Sequence, residues 1–301
     1  MKIACSEKDK VDLSICIPTL DASSYLKACL NSIKTFTLGL SYEVIVVDNA
    51  SKDGTLAMLE QDFPEVTVIR NETNAGFAKP MNQALRLAKG SYLLALNPDT
   101  LLKEDVFGPQ VDYLRRNLAV GVSIPKVLNE DGSFQKQSRR GEATPIEAFG
   151  YHFGLGKLFP RCKALNGYLQ AWLPEDEIVE VKAVSGSCML ISRACYEAVG
   201  GFDEKIFAYQ EDSDFCFRAR EKGFKVMYVP ITQIVHYGGK GGSKAQPFKS
   251  IWNWHYSYFY YYNKHLAKRY FFLVNWLFYL VMFGKFAVAV FKNIFSKRES
   301  S

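Results

Sequence analysis

The sequence predicts an α/β fold with a mostly parallel central sheet that is flanked by helices. Two observations predict it. Short apolar runs alternate with segments of helical spacing through the first 100 residues, and each run ends in polar residues. Short apolar runs of this kind favour strands that are buried in a parallel sheet. Such a sheet leaves a ligand crevice at the carboxyl ends of its strands.

Four strands and two helices follow from this pattern. The strands are expected at residues 12–20, 42–51, 66–71 and 91–99. Between the first two, residues 24–36 have helical spacing, with Leu26, Leu30 and Ile33 on one side. A second helix is expected at residues 76–90, where a glycine closes it.

The fourth predicted strand ends in an unusual way. It runs SYLLAL and then breaks at Asn97, Pro98 and Asp99. Pro98 cannot donate to a β ladder and biases Asn97 away from helical geometry. The strand should therefore stop at Leu96, with Asp99 just beyond its carboxyl end. By itself this triplet is compatible either with a ligand contact or with turn hydrogen bonds.

The glycines exclude two common nucleotide-binding motifs. Neither G-x-G-x-x-G nor G-x-x-x-x-G-K-[ST] occurs in the sequence. Instead, Asn74 and Gly76 lie at the start of the second predicted helix. Free backbone N–H groups at a helix start favour an anion such as a diphosphate. The sheet is therefore expected to bind a nucleotide without the usual glycine loop.

The net charge of +6 is confined to the C-terminal end. Residues 264–301 hold seven Lys or Arg and one acid, so the first 263 residues are neutral overall. A neutral body argues against a nucleic-acid partner.

The seven cysteines are an odd number without C-x-x-C spacing. They favour reduced, mostly buried thiols in a cytoplasmic setting and argue against a zinc site.

The tail, residues 251–301, is aromatic and basic and is expected to associate with a membrane. An aromatic run precedes residues 270–291, which are hydrophobic except for Asn275, Gly284 and Lys285. Basic flanks with clustered Trp and Tyr fit a helix that spans a bilayer or lies at its interface. Lys285 favours the shallow position, on the cytoplasmic face of the cell membrane. Burial against the body or in a homodimer is the alternative.

Seven sequence blocks carry a resemblance to a known family. In order, they are SICIPTL, VIVVDNASKDGT, NAGFAKPMNQAL, YLLALNPDT, VSGSCMLISR, GGFDEKIFAYQEDSDFCFRAREKGFKV and HYGGKGGS. Together they resemble family 2 of the inverting nucleotide-sugar glycosyltransferases, which have the GT-A fold, and most closely its L-rhamnosyltransferase-like branch. The resemblance implies a GT-A domain at residues 1–250, ahead of the tail. Its nucleotide-binding half would be residues 12–100 and its acceptor-binding half residues 101–250.

The resemblance also implies an activity and its substrates. It implies transfer of L-rhamnose from dTDP-L-rhamnose, with inversion, to a lipid-linked saccharide carried on polyprenyl diphosphate, in synthesis of an O-antigen-like cell-surface polysaccharide. The alternatives are a UDP- or GDP-sugar donor, or a catalytically idle nucleotide-sugar-binding partner in a polysaccharide assembly complex. In the acceptor half, Arg139 and Arg140 either meet a lipid diphosphate or are solvated.

A divalent metal ion, Mg²⁺ or Mn²⁺, is part of the same implication. Hard divalent ions prefer oxygen ligands, and an aspartate with two phosphate oxygens suits them. The resemblance assigns this role to Asp99, together with His236 from the late glycine-rich block. Asn97 stands where a full D-x-D motif has its first aspartate. Because an amide brings no charge, metal affinity should be weak without bound nucleotide.

A cluster of acidic residues offers candidates for the catalytic base, the group that takes a proton from the acceptor hydroxyl. Glu211, Asp212 and Asp214 lie within four residues, and neighbouring carboxylates raise one another's pKa, although clustered acids also cap helices. The resemblance selects Asp212 as the base and leaves Asp214 as a cap or partner of Arg218. It assigns sugar or acceptor contacts to Gly186, Ser187 and Glu211. The implied donor contacts are Pro18, Thr19, Asp48, Asp53, Asn74, Gly76, Phe77, Asn82, Asn97 and Asp99.

Overall fold

The computed structural model of the protein describes residues 11–159, 161–240 and 247–298. The strands are β1 (Leu13–Thr19), β2 (Tyr42–Asp48), β3 (Thr67–Arg70), β4 (Tyr92–Leu96), β5 (Thr100–Leu102), β6 (Val120–Leu128), β7 (Arg139–Arg140), β8 (Val179–Glu180), β9 (Ala183–Val184), β10 (Cys188–Ser192) and β11 (Lys225–His236). The helices are α1 (Ser23–Phe36), α2 (Thr55–Asp62), α3 (Ala78–Leu87), α4 (Phe107–Arg116), α5 (Pro145–His152), α6 (Leu155–Leu158), α7 (Lys163–Asn166), α8 (Arg193–Val199), α9 (Glu211–Glu221), α10 (Pro247–Tyr261) and α11 (Phe272–Arg298).

One large sheet forms the centre of the molecule. Its order is β3-β2-β1-β4-β10-β6-β11-β5, and β8 pairs with β11 beside this path. The four strands of the N-terminal half pair in parallel, as the sequence predicts. β6 and β11 are also parallel, whereas β10 is antiparallel to both of its neighbours. The antiparallel pairings thus all involve strands from the chain beyond Leu96. β7 and β9 form a separate small ladder.

Three strands of the parallel half end at one edge of the sheet. Thr19 at the end of β1 pairs in register with Asp48 at the end of β2. β4 ends at Leu96, as predicted from the proline two residues later. Cys188, the first residue of β10, pairs with Leu96, so the turn before β10 lies beside the end of β4. This arrangement gathers polar residues from distant parts of the chain at one edge.

The two predicted helices are confirmed. On α1 the residues Leu26, Leu30 and Ile33 are buried, as their spacing predicts. α3 lies within the predicted range and packs on β1 and β2. Each large aliphatic side chain buried in this way contributes roughly 1.5–3 kcal/mol to stability. The helices therefore fix the parallel half of the sheet and the loops at its edge.

The first part of the tail packs on the body. α10 continues through a π-helical turn at Tyr262–Leu266 and a 3₁₀ turn at Ala267–Arg269 before α11 begins. The Ser257 hydroxyl donates to the carbonyl of Ala208 at 2.8 Å, and Tyr261 packs on Phe217 of α9. Residues of α10 thus share a second hydrophobic cluster with the body. The division of the chain at residue 250 stays a prediction.

α11 is mostly exposed. Phe272–Phe295 is long and apolar enough to cross a membrane, by length and composition. In the part whose side chains are described, Phe278 and Met282 are buried against α10 and the body. Most of its other large apolar residues, such as Trp276 and Phe283, face outward. The structure therefore leaves one broad apolar face of α11 uncovered by the chain itself.

Candidate active site

Two buried oxygen atoms at the ends of β1 and β2 have no hydrogen-bond partner among the described residues. Thr19 and Asp48 are both buried. Asp48 Oδ2 accepts from the Ser51 N–H at 3.1 Å, but Asp48 Oδ1 and Thr19 Oγ1 have no partner. A buried oxygen left unpaired costs about 1–3 kcal/mol. These atoms, with Pro18 beside them in β1, are suited to hydrogen bonds from a nucleobase or ribose.

Asp53 has a different environment. It is exposed, and its Oδ2 accepts from the Ser23 N–H at 2.8 Å. Its Oδ1 accepts from the Thr55 N–H at 3.2 Å and from the Thr55 hydroxyl at 2.5 Å. Partial burial raises the pKa of Asp53, but these hydrogen bonds outweigh it and leave the pKa below its ordinary value. The carboxylate thus joins the starts of α1 and α2. Its predicted contact with the nucleotide-sugar substrate stays a prediction.

An asparagine that the sequence analysis missed holds the loop before α3. Asn49 Nδ2 donates to Asn74 Oδ1 at 3.0 Å and to the Gly76 carbonyl at 2.8 Å. Asn49 Oδ1 accepts from the Ala75 N–H at 3.0 Å. The position of Asn49, directly after Asp48 at the end of β2, is the sequence feature that could have identified it. Asn74 therefore lies at the same edge as Asp48, fixed by a side-chain amide.

The turn at Gly76 is pressed against the loop before α9. Gly76 has a φ of +86°, and a Cβ atom there would lie 2.1 Å from the carbonyl oxygen of Phe207. The Phe77 N–H donates to that oxygen at 2.7 Å, and the Gly76 N–H donates to Asn74 Oδ1 at 2.9 Å. These two N–H groups, expected to face an anion, are thus satisfied within the protein.

Asn82 makes a second connection between α3 and the same loop. Its Nδ2 donates to the Phe202 carbonyl at 2.9 Å and to Glu204 Oε1 at 3.0 Å. Its Oδ1 accepts from the Phe202 N–H at 2.9 Å. Because these bonds use both ends of the buried amide, Asn82 fixes residues 202–204 against α3. Its predicted contact with the donor stays a prediction.

Asp99 and His236 meet at the end of β4. His236 Nε2 lies 3.3 Å from Asp99 Oδ1 and 3.0 Å from Asn97 Nδ2. On the other side of the ring, Nδ1 lies 2.8 Å from Gln135 Oε1, which can only accept. Nδ1 therefore carries a proton. In the protonated ring Nε2 also donates, to Asp99 Oδ1, whereas in the neutral ring Nε2 carries a lone pair that is available to a metal ion. Gln135, which orients the ring, was not predicted.

The Asp99 carboxylate is buried and charged. Burial raises its pKa, but His236 and the Lys240 N–H, which donates to Oδ2 at 3.1 Å, outweigh burial and leave the pKa below its ordinary value. Adjacent ligand atoms around Mg²⁺ lie about 3 Å apart, close to the 3.3 Å between Asp99 Oδ1 and His236 Nε2. Across the described ranges, no group of three or more His, Cys, Asp or Glu is arranged for a metal ion. The pair fits a metal that is completed by other oxygen ligands.

The predicted base, Asp212, lies in a buried ion pair. Its Oδ2 is 2.5 Å from Arg140 and accepts from the Gly186 N–H at 3.1 Å. Its Oδ1 accepts from the Ser213 N–H at 2.6 Å. Burial lowers the pKa of Arg140, but Asp212 and Tyr168 outweigh burial and hold it well above its ordinary value. Each charge therefore stabilises the other in a region with little water.

One of the two alternatives for Arg139 and Arg140 is wrong: the side chains are not solvated, because both are buried. A contact with a lipid diphosphate stays a prediction. Arg139 donates to the carbonyls of Leu173 and Pro174 at 2.6 Å each, and Tyr228 packs against its guanidinium. Arg140 pairs with Asp212 instead. Arg139 and Arg140 form the short strand β7, and successive side chains of a strand point to opposite sides.

A single turn connects the Asp99–His236 pair to the Asp212–Arg140 ion pair. The Ser187 carbonyl accepts from the Asn97 N–H at 3.1 Å, and the preceding Gly186 N–H donates to Asp212. Ser187 Oγ and Glu211 Oε2 are buried without a partner in the part of the chain that the structure describes. Burial, with the Asp212 charge beside it, raises the pKa of Glu211. The residues predicted to contact the sugar or the acceptor, Gly186, Ser187 and Glu211, thus lie close to Asp212. Ser187 Oγ and Glu211 Oε2 are available for hydrogen bonds.

Helix α9 is also held from its far side. The fully buried Asp214 accepts from Arg218 Nε at 2.8 Å, as predicted, and also from Lys264 at 2.6 Å and His265 at 2.7 Å. Burial raises the pKa of Asp214, but these donors outweigh it and lower the pKa to about 2. The tail residues Lys264 and His265 thus position the helix that carries Asp212.

Comparison with known proteins identifies the family. The family model for glycosyl transferase family 2 matches residues 14–175, more than half of the chain. The chain belongs to glycosyl transferase family 2. The match covers the parallel half of the sheet, the Asp99 edge and the β7 strand of Arg140. The predicted family is confirmed.

Curated relatives include named rhamnosyltransferases. The N-acetylglucosaminyl-diphospho-decaprenol L-rhamnosyltransferase of Mycobacterium tuberculosis is 29% identical over 205 residues, which cover 64% of this chain and 66% of that protein. The rhamnosyltransferase WbbL of Escherichia coli is 27% identical over 225 residues, covering 71% of this chain and 79% of that protein. The chain thus spans just under two thirds of the length of the mycobacterial relative.

Solved structures share the fold. The mannosyltransferase PcManGT from Pyrobaculum calidifontis, in complex with GDP-Man and Mn²⁺, has a TM-score of 0.56 at 20% identity and covers 83% of this chain and 63% of its own. GalNAc-T7, with UDP, GalNAc and Mn²⁺, has a TM-score of 0.57 at 16% identity, over 76% of this chain and 44% of its own. The predicted GT-A fold is confirmed.

Proposed function

We propose that this family 2 glycosyltransferase transfers L-rhamnose from dTDP-L-rhamnose to a lipid-linked saccharide, with inversion at the anomeric carbon. One observation carries the chemistry: Asp99 with His236, and Asp212 with Arg140, meet at one sheet edge through the turn at Gly186. Rhamnose as the sugar and a diphospholipid as the carrier are supported by the activity for which the mycobacterial relative is named.

The donor side is assigned to the ends of β1, β2 and β4. Thr19 and Asp48 would bind the nucleoside with their unpaired oxygen atoms. Asp99 and His236 would hold Mg²⁺ or Mn²⁺, which, when bound, neutralises charge on the leaving diphosphate. Asn97 Nδ2 lies 3.0 Å from His236 Nε2, and this contact would give way when Nε2 binds the metal. These residues place the charge of the leaving group at a fixed point.

The acceptor side is assigned to α9. Asp212 takes the proton from an acceptor hydroxyl, that oxygen bonds to the anomeric carbon, and the bond from carbon to the diphosphate oxygen breaks. Arg140 and the Gly186 N–H hold the carboxylate in place. One displacement inverts the anomeric centre, and the proton remains on Asp212 until solvent removes it.

Donor hydrolysis and binding against dTDP-, UDP- and GDP-sugars, in Mg²⁺, Mn²⁺ and EDTA, test this assignment. We expect metal-dependent preference for dTDP-L-rhamnose. Preference for a UDP- or GDP-sugar would show that this sugar nucleotide is the donor instead. Binding of a donor without hydrolysis or transfer would favour an idle nucleotide-sugar-binding partner, and no binding of any donor would contradict the donor assignment.

Two variants separate the roles within the site. His236→Ala should weaken metal-dependent donor binding, whereas Asp212→Asn should keep donor binding and lose transfer. Because Asp212→Asn leaves Arg140 buried without its counter-ion, the double variant Arg140→Gln/Asp212→Asn is measured beside it. Asp131→Asn, on an exposed turn, is the matched control. Near-normal transfer by Asp212→Asn would show that another group is the base.

Membrane association through α11 completes the proposal. The exposed apolar face of Phe272–Phe295 and the basic residues around it fit attachment at the cytoplasmic face of a membrane, close to a lipid-linked acceptor. Washing membranes that contain the full chain with alkaline carbonate distinguishes the two positions of α11. Release into the wash indicates an interfacial helix, and retention indicates a spanning one.

A further inference from the structure

The lobe formed by residues 148–174, of which the structure describes all except residue 160, has an unusual composition for a soluble surface. It contains Lys157, Arg161 and Lys163 but no Asp or Glu. It holds α6, α7 and the end of α5, inserted between β7 and β9. An acid-free segment that is rich in aromatic residues is typical of a protein surface at the headgroup level of a bilayer.

Most aromatic residues of this lobe are exposed. Phe153 and Phe159 are each 56% exposed, and Leu158 is 71% exposed. Large apolar side chains clustered on one surface indicate an interaction site, whereas single ones are ordinary. The three basic side chains are exposed beside them. The exposed large apolar residues of the lobe are Phe149, Tyr151, Phe153, Leu158, Phe159 and Trp172.

The lobe is continuous with the tail. Ala148 and Tyr168 share a hydrophobic cluster with Tyr258 of α10 and with Phe278 and Met282 of α11. The inner side of the lobe therefore packs on the helices whose outer face is proposed to contact lipid. The lobe and α11 are therefore neighbours on the molecule.

The lobe also borders the acceptor side of the site. The Gly141 N–H donates to the Tyr168 carbonyl at 2.8 Å, and the Tyr168 side chain interacts with Arg140. Arg140 in turn pairs with Asp212. A lipid-linked acceptor must present its sugar hydroxyl to Asp212 while its chain stays in the bilayer. Because Tyr168 joins the lobe to Arg140, a lobe that contacted lipid would lie next to the acceptor side of the site.

We propose that residues 148–174 form a second membrane-contacting surface, which binds anionic lipid headgroups and sets the acceptor side of the site against the bilayer. This rests on the proposed function of α11 and of the acceptor side. A second copy of the chain fits the surface less well, because a symmetric contact would bring the three positive charges of each copy together.

Cys162 offers a probe at the centre of the lobe. It is exposed, whereas the other cysteines that the structure describes are buried. In a Cys5→Ser variant, which removes a cysteine outside the described residues, Cys162 is labelled with an environment-sensitive fluorophore. Vesicles of phosphatidylcholine, with or without phosphatidylglycerol, are added to the full chain, and flotation is measured in parallel. The matched control carries the label on Leu118→Cys in a Cys5→Ser/Cys162→Ser background; Leu118 is 84% exposed, outside the lobe.

The expected result is a blue shift of the Cys162 label, with quenching by spin-labelled lipid, and no change at Leu118→Cys. Substituting Lys157, Arg161 and Lys163 by Gln should weaken binding to phosphatidylglycerol vesicles by about fivefold per charge at low salt. Gln at Lys89, Lys103 and Lys222, which are exposed elsewhere, should change it little.

Three outcomes would overturn the proposal. If the protein floats with vesicles while the Cys162 label behaves like the control, α11 alone binds lipid. If the protein does not float but still hydrolyses donor, both membrane contacts fail and the transferase assignment stands. A concentration-dependent blue shift without vesicles would instead identify a second copy of the chain as the occupant.

Discussion

Replacing Arg140 by glutamine should destabilise the protein far more than an ordinary surface substitution. The Arg140 and Asp212 side chains are each 10% exposed and lie 2.5 Å apart. Removing one member of a buried ion pair leaves the other charge without compensation, which costs about 3–5 kcal/mol. For a chain of this size we expect the melting temperature to fall by roughly 10 °C.

The double variant provides the decisive comparison. Arg140→Gln/Asp212→Asn replaces two buried charges by two amides that can bond to each other, so it should be more stable than either single variant. The difference from additivity measures the coupling, which we expect to exceed about 2 kcal/mol. Arg115→Gln is the control, because its ion pairs are about half exposed and should contribute about 0–1 kcal/mol.

The assay is urea unfolding of the full chain in detergent, followed by tryptophan fluorescence and circular dichroism. All variants that lack Asp212 should also lose transfer while they keep donor binding. If Arg140→Gln is within about 1 kcal/mol of the parent, the pair is more solvated than the structure indicates. If the double variant is no more stable than the singles, the two charges are not coupled, and the reasoning is wrong.

Two further predictions concern backbone strain and pH. Gly76→Ala should lower the free energy of unfolding by several kcal/mol more than Gly132→Ala, as measured by thermal unfolding. Both glycines have a positive φ, but only a Cβ at Gly76 would meet the Phe207 carbonyl oxygen, at 2.1 Å. Equal losses of stability in the two variants would contradict this close approach. The pKa of Asp214, lowered to about 2, lies below its unfolded value, so Asp214 contributes stability at neutral pH that is lost as pH falls from about 4 to about 2. Asp214→Asn should lower the free energy of unfolding by about 2 kcal/mol at pH 7, and the stability of this variant in urea titrations should change little between about pH 4 and about pH 2. If the variant loses as much stability as the parent over this pH range, Lys264 and His265 do not hold the carboxylate.

Much of the donor side was predictable from local patterns. A proline two residues after Leu96 determines where β4 stops, and apolar runs place Thr19 and Asp48 at strand ends. These features depend on neighbouring residues only. Since parallel strands share one carboxyl edge, their end residues must come together. Asn49 carried the same signal, directly beside Asp48, and was overlooked.

The partners of these residues could not be predicted in the same way. His236 receives its orientation from Gln135, 101 positions away, and Arg140 was expected to be solvated or to meet a lipid. Nothing in local periodicity encodes such a pairing, because it depends on which strands become neighbours. Burial then changes the chemistry: an arginine that is solvated in isolation becomes the counter-ion of Asp212 once both leave water.

The sequence alone thus determined the parallel half of the sheet, the polar edge that carries Asp99 and the apolar, basic character of the tail. These properties follow from residue type and spacing, which act over a few neighbouring positions. Tertiary structure alone decided that β10 lies between β4 and β6, and with it the turn that joins Asn97 to Asp212. It also placed Lys264 and His265 on Asp214, because long-range packing selects contacts that no local pattern specifies.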